Sequence, residues 1–191
     1  MRKLVSFMHV SLDGFVTDVN GKMDWILVDN EMFEYAGIRT RESDTAIYGR
    51  ITYELMDNYW PTAAEQPNPT KHDLEHSKWY NRVSKVLVSK KMKGTHLPNT
   101  TIISENLSTE IRQLKKQAGK EIIMFGSPTV THSLMEENLI DDYWLFVNPI
   151  LLGKGLHLFK SLKNSIKLKL LSSKAFASGV VCIHYEGTMY E

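Results

Sequence analysis

The sequence has little of what would tie it to a membrane, a nucleic acid or an oxidising compartment. Among 191 residues it has one cysteine, Cys182, which has no partner for an internal disulfide. The cysteine content is therefore compatible with a reducing compartment. Lys and Arg number 23 against 22 Asp and Glu, and a net charge of +1 gives no basic surface of the kind that binds nucleic acids. We therefore expect no nucleic-acid partner.

Long apolar runs are also missing. No run is long enough to span a bilayer, and the short apolar stretch in residues 1–14 passes directly into Asp and Gly, so we expect no signal peptide and no membrane partner. The length suits one globular domain, here residues 1–191, with a core large enough to be stable without disulfides. We expect a cytoplasmic protein.

The sequence contains neither GxGxxG nor a P-loop, but it has another pattern that suits a phosphate. Residues 122–125 form an apolar run typical of a core strand, and Gly126 ends it. Ser127 and Pro128 suit the N-cap and first position of a helix. The free N–H groups and dipole at a helix N-terminus favour an anion. The alternative is that Gly-Ser-Pro serves only the turn and the cap.

The same order of strand, glycine and helix occurs earlier in the chain. Residues 45–48 predict a short strand, Gly49 ends it, and Arg50 and Thr52 fall in the first turn of the next helix. A guanidinium binds phosphate through two parallel hydrogen bonds, and a hydroxyl can add a third. This segment is therefore a second candidate anion site, with a solvated arginine on a surface helix as the alternative.

A third candidate lies at the end of the predicted strand 83–89, where Ser89 and Lys90 could hold another phosphate, with a solvated turn as the default alternative. Strands alternate with helices for most of the chain and the last quarter is β, which predicts an α/β fold: a mostly parallel sheet flanked by helices, with antiparallel strands at its C-terminal edge. Such sheets bind ligands at the carboxyl ends of their strands, where all three candidates fall. One phosphate-rich dinucleotide would explain the three together.

Three other features have ordinary explanations. His72 and His76 have the i, i+4 spacing of metal ligands, but no third ligand is evident nearby, so we predict no metal site. Trp25 follows a loop and belongs either to the core, which we favour, or to the wall of a pocket. Residues 58–70 hold three of the six prolines and predict a loop.

Five segments carry a resemblance to a known family. They are SLDGFVTDVNGKMDW (residues 11–25), IYGRITYE (47–54), VLVSK (86–90), FGSPTV (125–130) and DDYWLFVNPILLGKGLHLF (141–159). They resemble the dihydrofolate reductase fold and, within it, stand-alone relatives of the reductase domain of the bifunctional riboflavin biosynthesis enzyme. The last segment is the most specific, since its pattern Asp-x-x-x-Leu-x-x-x-Pro-x-Leu-Leu-Gly-x-Gly is characteristic of the riboflavin branch.

The resemblance implies an NADPH-dependent reductase that transfers a hydride to a small pterin-like or riboflavin-precursor substrate, and that pairs as a homodimer. The residues it implies for the cofactor are Gly49, Arg50, Thr52, Ser89, Lys90, Gly126, Ser127, Pro128 and Thr129. Of these, Arg50 and Lys90 would favour NADPH over NADH by pairing with its extra phosphate. Asp13 and Trp25 are implied for the substrate, and Asp29 as a proton source.

The departures from the family pattern fall mostly on the substrate side. Ser127 stands where the turn usually has a second glycine, Phe125 where the riboflavin reductase has Glu, and Met56 where it has Asp. The acid of folate reductases aligns with Asn30, one place from Asp29. Two alternatives follow: a protein of this fold that binds NADPH or another ligand without turnover, or a structural protein whose turns are only caps.

Overall fold

The computed structural model describes residues 1–160 and 162–187. The strands are β1 (Leu4–Ser11), β2 (Phe15–Thr17), β3 (Ser43–Gly49), β4 (Ser84–Val88), β5 (Thr100–Ile103), β6 (Glu121–Phe125), β7 (Asp142–Asn148), β8 (Leu156–His157), β9 (Leu168–Ala175) and β10 (Val181–Gly187). The α-helices are α1 (Asn30–Glu42), α2 (Arg50–Asp57), α3 (Lys71–Arg82), α4 (Leu107–Lys116) and α5 (Pro128–Glu136).

Eight of the strands form one sheet in the order β5-β4-β3-β6-β1-β7-β10-β9. Every neighbouring pair from β5 to β7 is parallel, whereas β10 is antiparallel to both β7 and β9. This confirms the predicted fold class, including the antiparallel strands at the C-terminal edge. The parallel strands all end on one side of the sheet, so the turns that follow them are brought together there.

The core lies on both faces of this sheet because side chains alternate along each strand. On β1, Leu4 and Met8 join the core that α4 and α5 cover, while Val5 and Phe7 join the core that α1, α2 and α3 cover. Cys182 on β10 is buried in the second core, which keeps the lone thiol away from solvent.

Two features differ from what the sequence patterns predicted. The proline-rich stretch is not entirely loop, because Trp60–Glu65 forms a 3-10 helix that begins with Trp60 and Pro61. In addition, β2 and β8 pair as a separate two-stranded sheet, which joins the segment after β1 to the glycine-rich segment after β7. These strands have three and two residues, too short for an alternating pattern to show in the sequence.

The two histidines with metal-ligand spacing take part in an aromatic cluster. The His72 ring stacks on Phe33 with centroids 4.0 Å apart, and His76 packs on Trp60 at 4.1 Å. Within residues 1–160 and 162–187, no three His, Cys, Asp or Glu side chains are grouped to hold a metal ion. Over the same residues, no helix combines the length and apolar character needed to cross a membrane.

Candidate functional site

A cavity of about 790 Å³ opens at the carboxyl ends of β3, β4, β5 and β6. All nine residues that the sequence indicated for a cofactor line it: Gly49, Arg50, Thr52, Ser89, Lys90, Gly126, Ser127, Pro128 and Thr129. They come from three segments far apart in the chain, and the parallel sheet aligns the ends of these segments along one edge. The tertiary structure therefore forms one continuous site from three local patterns.

The turns after β3 and β6 are in direct contact. The Gly49 N–H donates to Ser127 Oγ at 2.6 Å, and a Cβ atom on Gly49 would lie 3.3 Å from the Ser127 side chain. Gly126 has φ +53°, a conformation that favours glycine, and a Cβ there would meet Thr52 at 3.4 Å. The two glycines thus leave backbone rather than side chains at the cavity surface, where a ligand can approach closely.

The helices that begin at the cavity differ from the others at their N-termini. Asp29 caps α1 through the Met32 N–H, and Thr70 caps α3 in a reciprocal capping box with Asp73. In contrast, no side-chain cap bond is present at the start of α2, α4 or α5, whose N-caps, Gly49, Asn106 and Ser127, all line the cavity. The free N–H groups and the positive ends of three helix dipoles therefore face a common space, which favours a polyanionic ligand.

Side-chain charge at the cavity is mainly positive. Arg50 donates from Nη1 to both carboxylate oxygens of Glu54 at 2.8 Å, one helical turn away. Lys90 lies exposed just beyond β4. Among the described residues, the one acidic side chain in the lining is Glu105, which accepts from Lys93 at 2.7 Å and is balanced by it. Arg50 and Lys90 are thus the cations that a bound phosphate would meet.

The three residues indicated for substrate and catalysis do not line this cavity. Asp13 Oδ1 accepts from the Ser11 hydroxyl at 2.6 Å, and its carboxylate also accepts from the Leu152 and Gly153 N–H groups. The Ser11 bond, with help from these backbone donors, lowers the Asp13 pKa to about 2. Asp13 therefore joins the turn after β1 to the glycine-rich turn after β7.

Asp29 and Trp25 also have local contacts. The hydrogen bond from the Met32 N–H lowers the pKa of the Asp29 carboxyl, so this carboxyl is ionised at neutral pH and has no proton to donate. Trp25 is half-exposed, and its Nε1 donates to the Lys22 carbonyl at 3.3 Å, so it is not part of the buried core that we favoured for it. Its neighbours Met23 and Ile26 line the cavity instead.

His9 is a cavity residue that the sequence analysis did not single out. His9 lies near the end of β1, stacked on Phe146 with centroids 4.9 Å apart, and its Nδ1 is buried without a hydrogen-bond partner. Burial lowers the His9 pKa to about 4, so the imidazole is neutral at physiological pH. The available signal was a lone histidine within the apolar strand SFMHVS, immediately before the SLDG turn.

The chain is similar to known proteins in both sequence and fold. The family model of the RibD C-terminal domain matches residues 2–182, almost the whole chain. The chain belongs to the RibD C-terminal domain family. The uncharacterized protein YyaP of Bacillus subtilis is 33% identical to it over 187 residues, which cover 96% of this chain and 94% of the relative.

Solved structures with the RibD C-terminal domain fold agree with this assignment. A putative riboflavin biosynthesis protein from Shewanella sp. PV-4 superposes with a TM-score of 0.74 and 20% identity, covering 98% of this chain and 99% of that one. A diaminohydroxyphosphoribosylaminopyrimidine deaminase/5-amino-6-(5-phosphoribosylamino)uracil reductase from Thermotoga maritima gives a TM-score of 0.69 and 18% identity. The match covers 98% of this chain but 57% of the Thermotoga chain. At these identities the structures establish the fold.

Proposed function

We propose that this protein is an NADPH-dependent reductase that transfers a hydride to a small pterin-like or riboflavin-precursor heterocycle. The main support is the convergence of nine predicted cofactor residues, from three separate segments, on one cavity. The reductase named in the Thermotoga maritima structure, which shares the fold, supports the same reaction class. The residues fit a dinucleotide. Three helix N-termini without side-chain caps and two cations line the cavity, and Gly49 and Gly126 leave the backbone there open to a ligand.

In this proposal the protein residues mainly bind and orient the cofactor. The N–H groups at the start of α2 and α5 hold the pyrophosphate, with Gly126 and Gly49 allowing close approach. Arg50 and Lys90 pair with the additional phosphate that distinguishes NADPH from NADH, since guanidinium and ammonium groups form charge-assisted bonds to phosphate. Ser89, Thr52 and Thr129 offer further hydrogen bonds.

The bound nicotinamide supplies the hydride. Reduction of a C=N or C=O bond also consumes one proton, which we assign to water because Asp13 and Asp29 both have lowered pKa values and donate none at neutral pH. The protein then contributes by holding the two reactants in contact and by excluding bulk water with apolar lining such as Phe7 and Phe125.

The test is a titration of the purified chain with NADPH and NADH, followed by fluorescence and calorimetry. We expect NADPH to bind more tightly, and Arg50→Ala to weaken NADPH at least about tenfold while changing NADH much less, because only NADPH loses a charge-assisted bond. Arg112→Ala is the matched control, since Arg112 pairs with Glu137 outside the cavity. Equal losses for both cofactors, or no binding of either, would contradict the proposal.

A second candidate is a protein that binds NADPH without turnover. The observation that favours it is the absence of acid at the substrate positions of the family: Phe125 and Met56 line the cavity where the riboflavin reductase has Glu and Asp. Such a protein would bind NADPH normally but would not oxidise it with any pterin or pyrimidine offered. Steady oxidation of NADPH in the presence of one of these compounds would show that the protein is a reductase and not only a binding protein.

We also propose that the protein is a cytoplasmic homodimer. The edge strand β9 exposes three leucines, Leu168, Leu170 and Leu171, at 37%, 54% and 42%. An apolar edge strand presents unpaired backbone groups together with apolar area, which another chain can cover. The β9 strand of a second copy carries the same exposed leucines, so two copies can cover each other's leucines in a two-fold symmetric interface.

A further inference from the structure

The cavity lining divides into two parts of different chemistry. The ends of β3 to β6 and the helices that follow supply its charged side chains, Arg50, Lys90 and Glu105. The remaining part, which we call the apolar wall, comes from β1, β2, β8 and residues 21–26. Its large side chains are Phe7, Met8, Val16, Met23, Ile26 and Leu156. Met23 and Leu156 are 44% and 45% exposed, so apolar area is available to a ligand.

Polar chemistry on the apolar wall is limited to two side chains. The Thr17 hydroxyl already donates to the Asp18 carbonyl at 3.1 Å. Within residues 1–160 and 162–187, His9 is the single titratable side chain there, and its buried Nδ1 has no hydrogen-bond partner. A neutral imidazole offers one donor and one acceptor, so His9, which lines the cavity, can hydrogen-bond to an uncharged ligand.

The charges required by two familiar kinds of substrate are missing from the apolar wall. A phosphorylated substrate needs cations, but the lining cations are Arg50 and Lys90, which the proposed cofactor already engages. A cationic substrate needs a carboxylate, yet Asp13 and Asp29 lie outside the lining and accept bonds from backbone N–H groups. Burying either charge without a partner is unfavourable, because the charge loses its hydration and gains no compensating bond.

We propose that the apolar wall selects an uncharged aromatic ring without a phosphate, and that His9 is the positioning residue that hydrogen-bonds to it. The proposal rests on the proposed reductase function and narrows its substrate class. It separates this chain from the reductase named in the Thermotoga maritima structure, whose title compound carries a phosphoribosyl group. The stacked contact of His9 on Phe146 fixes the plane of the imidazole, so its nitrogens are presented in one orientation.

The test uses two probes with the same ring, 2-naphthol and 2-naphthyl phosphate, titrated into the protein with and without saturating NADP⁺. We expect 2-naphthol to bind the NADP⁺-loaded protein at least about tenfold more tightly, because the phosphate finds no free cation. His9→Phe should weaken 2-naphthol about fivefold or more while leaving the NADP⁺ affinity unchanged, and His9→Gln should recover part of the loss. His96→Phe, at an exposed position outside the cavity, is the control.

The outcomes separate the two proposals. If NADP⁺ does not bind, the reductase proposal fails, and the effect of His9→Phe on 2-naphthol still tests the apolar wall, because that effect does not depend on Arg50 or Lys90. If NADP⁺ binds but 2-naphthyl phosphate binds as tightly as 2-naphthol, the inference about the apolar wall is overturned and the reductase proposal stands. If His9→Phe binds 2-naphthol as the parent protein does, the role of His9 is overturned.

Discussion

Ser127 Oγ accepts a hydrogen bond from the Gly49 N–H at 2.6 Å and donates to the Phe125 carbonyl at 3.2 Å, which links two turns that lie 78 residues apart in the chain. Ser127 is buried and has φ +57°, in the region that glycine prefers. The family turn usually has glycine here. In this chain a left-handed serine keeps the conformation and adds a bond between the turns after β3 and β6.

Ser127→Ala should therefore be destabilising. The Gly49 N–H would lose its acceptor, at a cost of about 1–3 kcal/mol, and Tm should fall by roughly 2–4 °C for each kcal/mol. Ser127→Gly loses the same bond but removes the left-handed strain, worth about 1 kcal/mol, and should lie between the two proteins. Calorimetry measures all three, with Ser84→Ala, at an exposed position, as control. A Ser127→Ala protein as stable as the parent would show that the bond has no net effect.

Glu54 should limit the affinity for NADPH. Because Glu54 holds the Arg50 guanidinium through two bonds of 2.8 Å, a phosphate must compete with it for the same donors. Glu54→Gln should tighten NADPH about twofold, which corresponds to the roughly 0.3–0.5 kcal/mol of an exposed i, i+4 pair, and should leave NADH unchanged. Glu137→Gln removes the partner of Arg112 away from the cavity and serves as control. A weaker NADPH complex in Glu54→Gln would contradict this role.

His76 should make the fold sensitive to acid. Its Nε2 is buried without a partner, and burial lowers its pKa to about 3. The His76 side chain binds a proton near pH 6.5 in the unfolded chain but only near pH 3 in the folded protein. Protonation therefore leaves the free energy of unfolding unchanged above about pH 6.5 and lowers it progressively as the pH falls toward 3. His76→Phe, which keeps the packing on Trp60, should reduce the fall of Tm between pH 7 and pH 4.

The control for the acid effect is His96→Phe, since His96 is exposed. It should leave the pH dependence of Tm unchanged. If His76→Phe loses as much stability as the parent protein between the same two pH values, another group carries the acid sensitivity. His9 would be the next to replace, since burial lowers its pKa to about 4.

The leucines of β9 should control the oligomeric state. Replacing Leu168 and Leu170 with lysine places two charges on the proposed dimer edge and should convert the dimer to a monomer, because edge lysines oppose strand pairing between chains. Light scattering after size exclusion measures the mass, and circular dichroism checks the fold. Leu74→Lys on α3, where the leucine is 48% exposed, is the matched control. A parent protein that is already monomeric would contradict the homodimer proposal.

The segments that were predictable from the sequence are those whose structure depends on residues close together in the chain. The strand before Gly126 and the helix after Pro128 follow from an apolar run, a turn residue and a first-position proline, and the structure has both. The order of strands and helices in turn predicted the sheet, so the positions of the three turns along one edge were also predictable. Even so, Ser127 makes no cap bond within α5, because its hydroxyl accepts from Gly49 instead.

The roles of Asp13, Asp29 and His9 were not predictable in this way. A carboxylate in a loop looks the same in sequence whether it faces a ligand or accepts from backbone N–H groups, and the donors for Asp13 come from residues 139 and 140 positions away. Similarly, nothing local shows that His9 stacks on Phe146 or that its Nδ1 lacks a partner. These facts depend on which strands become neighbours.

The sequence by itself determined where the strands before Gly49 and Gly126 end and where the helices after them begin, because those choices depend on backbone conformation and on hydrogen bonds within a few residues. Only the tertiary structure decided that the ends of β3, β4 and β6 form one cavity, that Asp13 and Asp29 accept bonds from backbone N–H groups, and that one wall of the cavity is apolar around His9. The physical reason is that these properties arise from contacts between residues distant in the chain, whose pairing the whole sheet sets.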